Sequence, residues 1–259
     1  MHKPQSAEKI LRQLSILTPE TIDLDAIAWS RGAKVKYRAI DGCEACIHGS
    51  AALGRAVIAI NNTGNNLRRR RFSLAHELGH WEWHRGRDLL CSKQVIGGSG
   101  RRLKGLNPEK VANKFAAELL MPSFLLKEYS RQLPRLNLDS VSQLAEIFTV
   151  SRTAMAFRLV ELEHEPSLLI AHGKNGRRWF FRSSSIAPKW FPRSNLDRHS
   201  SAYDILYNGA CDDAALSEVD GDYWFNISED IELYEQSFLT REDEVMTLLV
   251  THDERMLSD

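Results

Sequence analysis

The sequence predicts an α+β fold, on three observations. Short β-branched or alternating segments, separated by turn residues, occupy residues 34–61. Helical periodicity with identifiable start and stop residues runs from about 71 to 163. Strand texture returns after Pro166. The chain has 259 residues, enough for one large or two modest domains. Its 43% apolar and 26% charged residues are an ordinary globular mixture that can bury a core. A formal net charge of zero removes any global electrostatic case for a nucleic-acid or membrane-surface partner.

Taken in order, residues 7–31 read as helical. Ile10, Leu11, Leu14, Ile22, Leu24 and Ile27 supply apolar faces, and Thr18 is placed to cap a helix that has Pro19 at its first position. The segments KVKYRAI, CEACIHG and AVIAINN then read as strands of a small sheet. A helix follows at roughly 71–85, after four arginines, and a looser stretch at about 86–107 carries Gly97, Gly98, Gly100 and Gly105. Asn107-Pro108-Glu109 starts a helix, with Asn as cap and Pro first, that Met121-Pro122 stops. Further helices are expected at about 123–132, 139–147 and 151–163. SLLIAHG and RRWFFRS read as strands around a Lys-Asn-Gly turn, followed by an amphipathic segment near 200–208 and strands at DYWFNI and MTLLVTH.

The polar start MHKPQSAEKILRQL is no signal peptide, and no run of 18 apolar residues exists to span a membrane. With only four cysteines, a reducing cytoplasm is the expected location. Cys43 and Cys46 have redox or metal spacing. Without a second pair nearby they read as two ordinary thiols.

The chemistry lies in His76-Glu77-Leu78-Gly79-His80, of the form H-E-x-x-H. Residues four apart share a helix face, so both imidazoles can reach one ion. Zinc accepts imidazole nitrogen, and a catalytic zinc has three protein ligands and brings the pKa of water to about 7. Glu77, beside the first ligand, is positioned as the general base for peptide hydrolysis. The flanks RFSLA and WEW are helix-forming, as the motif requires, and preceding strands could hold an extended substrate by β-augmentation.

A third ligand is needed. The extension to a further histidine fails, because position 83 is Trp and position 86 is Gly. His84 continues the same helix, and three residues in line on one straight helix do not readily close a tetrahedron. Glu109 and Glu118 lie on the later helix, nine residues apart and so on opposite faces, which leaves room for only one of them. Glu109 shares its face with Asn113, which could support a ligand by hydrogen bonding.

RRRRFSLAHELGHWEWH followed by EKVANKFAAELLMPSFLL resembles the ImmA/IrrE family of metallopeptidases over roughly residues 50–130, more weakly to about 163. The resemblance implies a zincin-like minimal peptidase fold, Zn2+ as cofactor, Glu109 as third ligand with Asn113 at the amide position of the motif, and cleavage of helix-turn-helix repressors. The expected partner is thus a protein substrate, a repressor of the XRE type, whose cutting derepresses stress-response or mobile-element genes. The alternative is a zinc-containing regulator that binds a repressor or DNA without cutting it, such as a toxin–antitoxin partner. His84, Tyr129 and an arginine of the 68–71 run are candidate oxyanion donors.

Residues 140–159 have the rhythm of a helix-turn-helix. Leu144, Ala145, Ile147, Val150, Ala154 and Leu159 would form its core, Ser151 would cap the second helix, and Arg152, Thr153 and Arg158 would be exposed on it. The zero net charge argues against DNA as the primary partner. Arg68–Arg71 read as a solvated face, and Trp179, Phe180, Phe181, Trp190 and Phe191 as core. The expected organisation is a zincin-like domain at 1–125, a helix-turn-helix-like segment at 126–165, and a smaller C-terminal α+β domain at 166–259, a candidate for a regulatory or sensory role.

Overall fold

The computed structural model describes residues 3–64, 66–85, 107–133, 135–226 and 230–258. The glycine-bearing stretch at 86–106, with Cys91, lies outside them. The chain is mixed α and β with open sheets, as the sequence predicts. It divides into two compact units, Met1–Leu126 with Glu146–Val150, and Lys127–Ala145 with Ser151–Asp259.

The first unit begins with α1 (Ala7–Gln13), capped by Ser6, and α2 (Leu24–Ser30), capped by Asp23. Between them Pro19–Thr21 makes only a single 3-10 turn. Thr18 does not cap it through its side chain; instead Thr21 Oγ1 donates to Thr18 O at 2.8 Å. Strands β1 (Ala33–Arg38), β2 (Ala45–Ser50) and β3 (Arg55–Asn61) form a sheet with β3 in the middle, parallel to β1 and antiparallel to β2. Both β2 and β3 pack on α3 (Leu67–Trp83), which packs in turn on α4 (Pro108–Leu120).

Helix α3 starts four residues earlier than its apolar pattern suggests. Asn66 caps it by accepting from Arg69 N at 2.9 Å, so the four arginines fall in its first turns. Cations there oppose the helix dipole. Arg68 is compensated by an ion pair with Glu146.

After Pro122 come α5 (Ser123–Ser130), α6 (Leu138–Ile147) and α7 (Arg152–Glu161). The second unit is built on a five-stranded antiparallel sheet. Its strands are β4 (Ser167–Gly173), β5 (Gly176–Arg182), β6 (Ser217–Asp220), β7 (Glu232–Arg241) and β8 (Glu244–Val250), in the order β5-β4-β8-β7-β6. Leu168, Ile170, Trp224, Phe225, Leu233 and Leu249 are among its core residues. The expected amphipathic segment is a short helix, Ser201–Tyr203, continuing as a π-helical turn, Asp204–Asn208. It closes at Gly209, whose φ of 70° favours glycine.

Four expectations are corrected here. Over its described residues, 222–226, DYWFNI is no strand: Gly221–Tyr223 is a 3-10 turn, and Trp224 and Phe225 point into the core instead, while Ile227 lies outside the described residues. The strand that the sequence hides is β7, because Glu235, Gln236 and Ser237 interrupt its apolar pattern although all three are buried. Of the five aromatics expected in the core only Trp190 is fully buried; Trp179, Phe180 and Phe181 are half-buried, and Phe191 is 58% exposed. Arg158 is not exposed, and Ile147 is not core. Helix α7 packs on β4 and β5, and the buried guanidinium of Arg158 pairs with Glu161. Ser151 caps α7 as expected, accepting from Ala154 N at 3.1 Å.

Candidate metal centre

Two helices build the site, and a glycine sets how closely they approach. A Cβ added at Gly79 would lie 2.9 Å from Ala112 Cα, 3.0 Å from Ala112 O and 3.2 Å from Phe115 Cβ. Any larger residue there would push α4 off α3. With glycine in place, Ala112, Phe115, Ala116 and Leu119 bury their side chains, each large one contributing about 1.5–3 kcal/mol. The far end of α3 is anchored separately. Trp81 Nε1 donates to Arg31 O at 2.8 Å, and the buried Glu82 carboxylate accepts from Arg31 at 2.9 Å.

Helix α4 is started by Pro108 and by Asn107, whose side chain accepts from Glu109 N at 3.0 Å. Glu109 thus occupies the first turn, opposite the middle of α3. There the ligand atoms of His76, His80 and Glu109 all lie within 4.8 Å of one another. The two Nε2 atoms are 3.0 Å apart; Glu109 Oε2 is 3.2 Å from His76 Nε2, and Glu109 Oε1 is 3.4 Å from His80 Nε2. Both histidines are buried, and Glu109 is partly so. Glu77 is buried on the same helix.

Asn113 Oδ1 lies 2.9 Å from His76 Nδ1. An amide oxygen only accepts, so the proton sits on Nδ1 and the Nε2 lone pair faces the cluster. On His80 the outer nitrogen meets another ring: His84 Nδ1 lies 3.3 Å from His80 Nδ1. Sequence reasoning weighed His84 as a ligand or an oxyanion donor and missed this contact, although the four-residue spacing on α3 signals it.

The electrostatics favour a cation here. Burial, with His76 next and His84 adding to it, pushes the His80 pKa down to about 4, against the opposing pull of Glu109. The ring therefore stays neutral and keeps a lone pair to donate. The neighbouring His76 ring, aided by His80, holds the Glu109 carboxyl below the usual range despite its burial, so it stays ionised. Two imidazole nitrogens and one carboxylate aimed at a common point are a donor set that zinc accepts. The residues present fit that ion.

Glu118 stands apart from this cluster and pairs with Lys114 at 3.8 Å. Tyr129 belongs to the second unit. One group that the sequence marks only as an ordinary thiol stands near the site. Cys46 on β2 lies close enough to Glu77 for the carboxylate's charge to act on its thiol.

A family model described as the IrrE N-terminal-like domain, Peptidase M78, matches residues 34–160. No curated protein matches the chain. Among solved structures, a Mycobacterium tuberculosis transcriptional regulator is similar at a TM-score of 0.62 and 15% identity, over 95% of this chain and 75% of that one. At that identity the likeness shows the fold alone.

Proposed function

Through residues 34–160 the chain belongs to the IrrE N-terminal-like, Peptidase M78 family, and from that premise we propose that it is a zinc-dependent endopeptidase acting on a helix-turn-helix repressor of the XRE type. The observation that carries this reading is the convergence of the His76, His80 and Glu109 ligand atoms within 4.8 Å. These three residues would hold the ion. A zinc bound there supplies polarisation of the scissile carbonyl and acidification of water. Glu77 takes the proton of the attacking water and returns it to the leaving amine nitrogen. Asn113 fixes the tautomer of His76, which keeps its Nε2 aimed at the ion.

Cutting the repressor lifts repression of stress-response or mobile-element genes. The site of action is the cytoplasm, where such a repressor works; among the described residues no helix is long and apolar enough to cross a membrane. A regulator that binds without cutting has no use for Glu77. DNA is not the primary partner. On α7, Arg158 is buried against Glu161, and Arg152 pairs with Asp212 and lies over the Phe238 ring at 4.8 Å.

The test is to incubate the purified chain with the XRE-type repressor encoded beside it, with and without a chelator. A new fragment that the chelator suppresses is expected. Binding of the repressor with no fragment would refute the peptidase reading.

A further inference from the structure

The two histidines of α3 are supported in different ways. His76 directs its Nδ1–H to the amide oxygen of Asn113, on the neighbouring helix. His80 has a ring in that place. Among the described residues, the group that meets its outer nitrogen is the imidazole of His84, with the two Nδ1 atoms 3.3 Å apart. The ring centroids are 5.4 Å apart and the planes are tilted by 54°. His84 is also where α3 ends. Its backbone N–H still donates to His80 O at 2.8 Å, while its φ of −128° and ψ of 28° leave the helical range.

Two like nitrogens at hydrogen-bond distance need one proton between them. A neutral imidazole carries one N–H and one lone pair. Two arrangements therefore satisfy the contact. In the first, His80 Nδ1–H donates to His84 Nδ1, and the lone pair of His80 Nε2 faces His76 and Glu109. In the second, His84 Nδ1–H donates to His80 Nδ1. The His80 proton then lies on Nε2, 3.0 Å from His76 Nε2, and His80 has no lone pair left for an ion. Only the first arrangement lets all three side chains of the cluster act as ligands.

We propose that His84 positions His80 for the metal: its Nδ1 accepts the proton on His80 Nδ1 and so holds the His80 Nε2 lone pair towards His76 and Glu109. This deepens the peptidase reading and rests on its metal site. His84 acts here through His80, as a positioning residue, and it carries its own proton on Nε2. It does for His80 what Asn113 does for His76, with one difference. An amide oxygen only accepts, so Asn113 allows one tautomer of its partner, whereas an imidazole fits either tautomer and the ion selects between them.

The experiment separates the shape of the His84 side chain from its accepting atom. His84→Phe keeps a ring and removes the lone pair. His84→Asn removes the ring and keeps an acceptor near the place of Nδ1. In competition with a chelator, His84→Phe should weaken zinc by about 10–100-fold, and His84→Asn should stay near the wild type. Nitrogen NMR of the zinc-loaded full chain, labelled at histidine, gives a second readout. It should find the His80 proton on Nδ1 and a nitrogen–nitrogen coupling to His84 across the hydrogen bond. The coupling should be absent in His84→Asn. Zinc held as tightly by His84→Phe as by the wild type, or lost equally in both variants, would overturn the proposal. So would a wild-type spectrum with the His80 proton on Nε2, which needs no variant to fold. None of these readouts uses a substrate. A wild-type chain that holds zinc and never cuts the repressor would therefore refute the peptidase reading separately.

Discussion

Helices α3 and α7 each carry a polar motif that the sequence marks out as functional, and their polar side chains meet opposite fates. On α3, His76, Glu77 and His80 are buried, and the ligand atoms of the two histidines converge with that of Glu109. On α7, Arg158 is buried beside its own Glu161, and Arg152 is taken up by Asp212 and the Phe238 ring. In the first case burial leaves a like set of donors facing one point, which an ion can satisfy. In the second case each charge is compensated locally, and the helix serves to pack against β4 and β5. The difference teaches that burial of polar groups marks a candidate site where their donor atoms converge on one point, and not where each charge is paired with its own neighbour.

Breaking the comparison begins with Glu109. Glu109→Ala should leave a purified chain without stoichiometric zinc and without repressor cleavage, as read by metal analysis and a gel. Unchanged zinc content would move the third ligand elsewhere, with Glu118 next in line. A smaller effect is expected one turn further along α4. Asn113→Ala should weaken zinc by about 10–100-fold in competition with a chelator, because the His76 tautomer is no longer fixed.

For α7 the expected losses are in stability, not in metal. Arg158→Ala should lower stability by about 1–3 kcal/mol with zinc binding intact, since it removes a buried charged donor from its acceptor. Arg152→Ala, at an exposed pair, should cost at most about 1 kcal/mol. Denaturant titration separates the two, and a reversed ranking would contradict the account of α7.

The smallest effect concerns β4, the strand under α7. Burial pushes the His172 pKa down from 6.5 to about 4, with its Nε2 3.4 Å from Arg193 O and Arg177 lowering it further. The unfolded chain therefore binds a proton that the folded unit refuses. Stability present above pH 6.5 is lost as pH falls towards 4. His172→Gln should flatten melting temperature against pH in that window; an unaltered slope would show that His172 is not the group responsible.

Much of this was legible because local signals and burial agreed. Asn107-Pro108 marks the start of α4, and the four-residue spacing of His76 and His80 places both rings on one face. Asn66 was an equally readable cap, but the arginines that follow it carry no apolar period, so α3 looked shorter than it is. Strand β7 was hidden for a different reason. Glu235 is buried because Ser201 Oγ, Ala202 N, Trp224 Nε1 and Ser237 Oγ all donate to it, partners that come from 2 to 34 residues away. No local pattern reveals such an acceptor. Likewise, Trp179 and Phe181 are aromatic enough for a core, yet β5 is an edge strand, and they stay half-buried beside Phe157 of α7.

The central claim is that α3 and α4 hold a zinc ion for which Glu77 is the base. Glu77→Gln tests it most directly, because the substitution keeps the shape of the side chain and removes its proton-accepting charge. Zinc content and repressor cleavage should be measured on the same preparation. The account predicts one zinc per chain, as in the wild type, with cleavage reduced by about 10²–10⁴-fold. A variant that holds zinc and cuts at the wild-type rate would contradict it.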